Sequence, residues 1–153
     1  MGTVYHQVWI NAPVEKVYTA LASAEAIGAW WDKQTPVQTD EGLVLEHNPG
    51  PEHGVVKLRV VEQEPNKRIE WECISTHPQS SPASAWTGSH VMFALSARKA
   101  PAWMCPSGEP ETMCVVDFHQ TNYSDISPFF GFNNFTWAQV LQKLKQVAEA
   151  ASG

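Results

Sequence analysis

The hydrophobic period of this chain changes for good near its end. From Phe130 onward inward candidates recur at three- and four-residue spacing, through Phe130, Asn133 or Asn134, Trp137, Val140 or Leu141, Leu144, and Val147 or Ala148, which is the period of a helix. It is the longest such stretch in the chain. Between Pro36 and Tyr123 apolar residues instead alternate with period two and turn residues recur, the pattern of antiparallel strands. A curved antiparallel sheet has one concave apolar face to cover, and only the final helix is long enough to lie across it. The expected fold class is therefore α+β: a curved antiparallel sheet of about six or seven strands around a long C-terminal helix, with two short helices after the first strand.

The register of each strand follows from its alternation. In "TVYHQVWI" His6, Val8 and Ile10 share one face and Tyr5, Gln7 and Trp9 the other. Val56, Leu58 and Val60 form the next clear set, then Ile69, Trp71 and Cys73 against Glu70 and Glu72. Val91, Phe93 and Leu95 follow, and then Val116, Phe118 and Gln120. Such alternation implies one covered face and one wet face. The segment after the first strand carries Asn11 as a capping residue, Pro13 at an early helical position, and Val14, Val17, Tyr18 and Leu21 at helical spacing. Ser23 caps a second short helix with Ala26, Ile27 and Trp30.

That helix runs into the pair Trp30-Trp31. Adjacent helical residues point roughly 100° apart, so the two rings cannot serve one purpose. Trp30 is assigned to the core and Trp31 to the mouth of the space beneath the long helix, although spacing alone permits the reverse.

A chain of 153 residues fits one domain, residues 1–153, and no repeat or linker divides it. A net charge of −6 and a pI near 5.4 argue against a nucleic-acid surface. Residues 1–12 lack a basic start with an apolar run, and no stretch reaches the ~20 apolar residues of a membrane span; a cytoplasmic location is expected. Cys73, Cys105 and Cys114 form no CxxC pair and are odd in number, which fits reduced thiols. Cys105 and Cys114 flank the turn "PSGEPE" and are the one pair that a hairpin could bring together.

Catalytic signatures are weak. His47 and His53 bracket a proline-glycine turn without zinc spacing or a cysteine pair, so neither a metal nor a cofactor is expected. His90 and His119 fall on the wet face, and His6 reads as a hydrogen-bonded residue at the core edge. There is no GxSxG, Ser107 lies in a turn, and Glu70 and Glu72 form a solvated pair; no catalytic residue is assigned.

The pieces "INAPVEKVYTALASAEAIGAWW", "RIEWEC", "VMFAL" and "TWAQVLQKLKQVAE", in this order along nearly the whole chain, resemble the START-like, or SRPBCC, superfamily, and within it the branch named for the activator of Hsp90 ATPase homologue 1. The resemblance implies the helix-grip fold and a ligand groove between the last helix and the sheet. One departure stands out: where the branch often has a histidine at the end of the last strand, this chain has Gln120.

Aromatic residues converge on that groove: Trp30, Trp31, Trp71, Phe93, Phe118, Phe130, Phe132, Phe135 and Trp137. A buried amide needs a partner, and a ligand is one source of it. The expected function is thus noncatalytic binding of a small hydrophobic or aromatic molecule, with Trp31, Trp71, Phe93, Phe118, Gln120, Phe130, Asn134 and Trp137 as the ligand-binding set. Two alternatives stand beside it. One is an enzyme of the aromatase, cyclase or dehydratase kind, which the resemblance permits. The other is a protein-interaction module presenting Trp9, Trp86 or Trp103, and either a monomer or a homodimer is compatible with the sequence.

Overall fold

The computed structural model describes residues 2–124 and 126–150. β1 (Gly2–Ile10) leads into α1 (Val14–Leu21) and the single turn α2 (Ala24–Ile27). Then come β2 (Thr35–Thr39), β3 (Gly42–His47), β4 (Val56–Glu64), β5 (Arg68–Cys73), β6 (His90–Ala100), β7 (Glu111–Tyr123) and α3 (Phe130–Ala150). Short 3-10 turns occupy Pro82–Ala85 and Ala102–Met104. The seven strands form one antiparallel sheet in the order β1-β7-β6-β5-β4-β3-β2. Its curved face holds α3, and the arrangement is the helix-grip fold.

The alternating residues turn inward as their spacing requires. Leu58, Ile69, Trp71, Val91, Phe93, Val116 and Phe118 pack in one cluster with Trp137, Leu141, Leu144 and Ala148 of α3. The alternation does not reveal β2, because all of Thr35–Thr39 except the half-buried Val37 is exposed and no apolar face exists to mark it. A bulge between Val60 and Glu62 interrupts the pairing of β4 with β5, bending the sheet. The following hairpin turns at Asn66, whose φ of 64° lies in the left-handed region that asparagine tolerates.

Asn11 does not cap α1. Pro13 stands at the N-cap with extended backbone and no side-chain hydrogen bond, because its ring carries no acceptor for the first N–H groups of the helix. The Asn11 backbone N–H instead donates to Glu149 Oε2 at 2.8 Å. Lys145 Nζ donates to the same carboxylate at 2.7 Å and to the Trp9 carbonyl at 2.6 Å, so the end of β1 is tied to the last turns of α3. Ser23 does cap α2, accepting from the Ala26 N–H at 3.1 Å.

The outer face is not wholly wet. The 3-10 turn after β6 folds back so that Met104 and Trp9 pack on Ala100, Cys105 and Met113 in a second, small cluster. Cys105 belongs to that cluster and Cys114 to the main core; all three cysteines are buried free thiols. Glu70 and Glu72 lie mid-sheet on the outer face: Arg68 reaches Glu70 at 2.7 Å, Arg59 reaches Glu72 at 2.7 Å, and His90 contacts both. Among the described residues no helix is long and apolar enough to cross a membrane.

Candidate functional site

Trp30 and Trp31 follow the end of α2 and differ in burial, although their rings stack on each other with centroids 6.3 Å apart. Trp30 is buried, donates its indole N–H to the Ala20 carbonyl at 2.8 Å, and meets Phe93 edge to face. Trp31 is half-buried and gathers other rings around it: Trp71 at 6.1 Å, Trp86 at 6.2 Å, Trp137 at 5.1 Å and His47 at 4.8 Å between centroids. Beneath them Phe93 and Phe118 continue the cluster. Aromatic side chains thus fill the middle of the groove between α3 and the sheet.

The polar groups in this apolar setting satisfy one another. Gln120 Oε1 accepts from Asn133 Nδ2 at 2.8 Å and from Trp137 Nε1 at 3.0 Å, while Gln120 Nε2 donates to Ser89 Oγ at 3.1 Å. Asn133 Oδ1 in turn accepts from Trp86 Nε1 at 3.1 Å. The partners that the buried Gln120 amide requires therefore come from the protein itself. One donor is left over: the buried Trp71 Nε1–H has no acceptor among the described residues.

Hollows of about 310 Å³ beside α1 and α2 and about 390 Å³ between β1 and α3 lie elsewhere; at one end of the groove lies a cavity of about 220 Å³. Trp31, Trp86 and Phe132 supply its rings, Val56, Pro49, Pro82 and Ala83 its aliphatic wall, and Asn133 and Thr136 its α3 side. Asp32, His47, His53 and Ser81 form its polar side.

His47 is buried at the end of β3, and that burial pushes its pKa down to about 4 although the Asp32 carboxylate pulls the other way. The hydrogen-bond pattern around His47 assigns its tautomer. Gln34 Nε2 donates to the Asp32 carbonyl at 2.8 Å, which turns Gln34 Oε1 toward His47 Nδ1 at 3.0 Å; Nδ1 is therefore the ring atom that carries the proton. Across the cavity His53 Nδ1 lies 2.6 Å from Ser81 Oγ, and His53 Nε2 lies 3.3 Å from Glu52 Oε1. Ser81 Oγ also caps its 3-10 turn by accepting from Ala83 N–H at 3.1 Å. His77 links the two loops, bonding Ser75 Oγ at 2.8 Å through Nε2 and the His53 carbonyl at 2.7 Å through Nδ1.

Of the residues assigned from sequence, Trp31 lines the cavity. Trp71, Phe93, Phe118, Gln120 and Trp137 lie fully packed behind it. Phe130 is half-buried against Tyr123, away from the lining. Asn134 requires a correction: it is exposed, and its neighbour Asn133 turns inward, since the phase of α3 is set by Trp137, Leu141 and Leu144 in the core. Phe135 is exposed as well. Trp86 sits in the ring cluster and is not a free surface tryptophan, whereas Trp103 is exposed. The polar rim was missed. Its one trace in the sequence was the pair His47 and His53 around a proline-glycine turn, which spacing tested only against metal binding. Among the described residues no group of three or more histidine, cysteine or acidic side chains is arranged to hold a metal ion.

A helix-grip domain with an aromatic floor and one open, polar-rimmed end is the class of protein these features define. By sequence, no family model and no curated protein matches the chain. Solved structures do. The chain is similar to an Aha1 protein from Colwellia psychrerythraea, solved as a dimer, at 23% identity, with all of both chains covered and a TM-score of 0.75. A protein of Mesorhizobium loti, MLL2253, matches at 23% identity over 97% of this chain and 98% of that one, with a TM-score of 0.68. CalU16 from Micromonospora echinospora matches at 15% identity over 98% and 85% of the two chains, with a TM-score of 0.59. At these identities the likeness shows a shared fold.

Proposed function

We propose that this protein is a noncatalytic binder of a small, predominantly apolar or aromatic molecule, held in the cavity between the start of α3, the 3-10 turn Pro82–Ala85 and the end of β3. The observation that carries this reading is the cavity itself: three aromatic side chains, Trp31, Trp86 and Phe132, face one space with a few polar groups on one side, the composition of a small-molecule site. Membership of the START-like superfamily, and of its Hsp90-activator branch, is part of the same proposal, supported by the sequence pattern and by the fold shared with the Colwellia protein. That relative's dimer supports a homodimer over a monomer. Three unpaired thiols support a reducing, cytoplasmic setting.

Titration with an environment-sensitive apolar dye, followed through tryptophan emission, tests the reading. Saturable micromolar binding is expected, and Ala83→Trp, which puts a large ring into the cavity wall, abolishes it while the denaturant midpoint stays near that of the wild type. Absence of binding to the wild type, or unchanged binding to a folded Ala83→Trp variant, overturns the proposal.

A second reading, enzymatic, is favoured by one observation, the chain Ser81–His53–Glu52 on the cavity wall. A hydroxyl hydrogen-bonded to an imidazole whose other nitrogen lies 3.3 Å from a carboxylate has the parts of an activated nucleophile. Here the same hydroxyl serves the Ala83 N–H, and the noncatalytic reading takes precedence. Stoichiometric labelling of Ser81 by a fluorophosphonate, lost in His53→Ala, would reverse that order.

A further inference from the structure

His47 Nε2 and Asp32 Oδ2 face each other at 3.7 Å on the cavity rim. Because Gln34 holds the His47 proton on Nδ1, Nε2 presents a lone pair, and the Asp32 carboxylate presents another. Two acceptors meet, and among the described residues no side chain donates to both. His47 is 7% exposed, so water reaches its ring poorly, and an acceptor at such a site gains from a donor that the cavity admits. The described residues that line the cavity include no lysine or arginine that could fill this role, while Trp31, Trp86 and Phe132 give the cavity an aromatic wall for an apolar body.

We propose, resting on the binding reading above, that the ligand is a protonated primary or secondary amine on a flat apolar body. The ammonium donates one N–H to His47 Nε2 and one to Asp32 Oδ2, and the body lies against Trp31, Trp86 and Phe132. An ammonium suits this pair better than a hydroxyl, because its charge is matched by the carboxylate and two of its N–H groups serve both acceptors at once. It also suits it better than a quaternary ammonium, which has no N–H to give.

The test compares three probes of nearly one shape by calorimetry and tryptophan quenching near neutral pH: 2-phenylethylammonium, its neutral analogue propylbenzene, and its N,N,N-trimethyl derivative. The primary amine is expected to bind about tenfold more tightly than propylbenzene, the return of charge-assisted hydrogen bonds that the neutral analogue lacks. Asp32→Asn, a change at a half-exposed side chain, should cut the ratio of amine to propylbenzene affinity to about threefold or less. Propylbenzene binding as tightly as the amine, or a preference unchanged in Asp32→Asn, overturns the amine assignment and leaves the apolar-ligand reading standing. Equal binding of the trimethyl derivative overturns the N–H donation. Binding of none of the three overturns both proposals.

Discussion

Trp31 meets His47 edge to face, 4.8 Å between ring centroids at an angle of 62°, so the ring that closes the aromatic floor also shields the imidazole on the cavity rim. The contact joins the two parts of the site, and its consequences can be measured from either side.

On the imidazole side, stability depends on pH with a definite sign. Burial depresses His47 from the ordinary 6.5 to about 4. The unfolded chain takes up a proton there as pH falls through its ordinary value, and the folded chain does so only near the lower one. Its contribution to stability is therefore complete above about pH 6.5, declines as pH falls, and is lost once pH passes through about 4, by at most about 3 kcal/mol. Urea midpoints at about pH 7.5, 5.5 and 4 should fall more steeply for wild type than for His47→Gln; parallel curves would show that His47 titrates normally in the folded protein.

On the aromatic side, Trp71 is completely buried between Trp31 and Phe93. Trp71→Ala should cost ~3–5 kcal/mol by denaturant unfolding. Trp71→Phe should cost less than half of that, because it removes an indole N–H that has no acceptor among the described residues. A phenylalanine variant as unstable as the alanine one would mean that the N–H is satisfied.

Gln120 and Asn134 make a paired prediction. Gln120→Leu strips partners from Asn133, Trp137 and Ser89 and should cost about 3 kcal/mol. The exposed Asn134→Ala should stay within about 0.5 kcal/mol of wild type. A loss at Asn134 comparable to that at Gln120 would rotate α3 away from the phase described.

The thiols should number three by titration of the unreduced, unfolded protein. In the native state they should react slowly, since all are buried and burial pushes the Cys114 thiol up to about 12. A count of one would establish a disulfide.

The strands carrying apolar residues on alternate positions were legible because burial of one face leaves period two in the sequence, and α3 because it must bury one stripe. β2 was not: an exposed edge strand such as Thr35–Thr39 has no buried face to record. The aromatic floor was legible as a set of residues, but its use was not. Whether Trp137, Phe118 and Trp71 enclose space or fill it depends on ring orientations fixed only in the folded molecule. The polar rim was hidden for a related reason. Asp32, His47, His53 and Ser81 come from separate loops and strand ends, and no spacing joins them.

The Gln120 carboxamide is engaged on both atoms. An imidazole there would exchange a donor for an acceptor as the surrounding proton concentration changed, and the indole of Trp137 and the amide of Asn133 would have to reorient with it. A carboxamide does not titrate. The amide network behind this cavity is therefore proton-silent: it keeps one pattern of donors and acceptors in acid and at neutrality alike, and the titratable side chains of the site, Asp32, His47 and His53, lie on the rim.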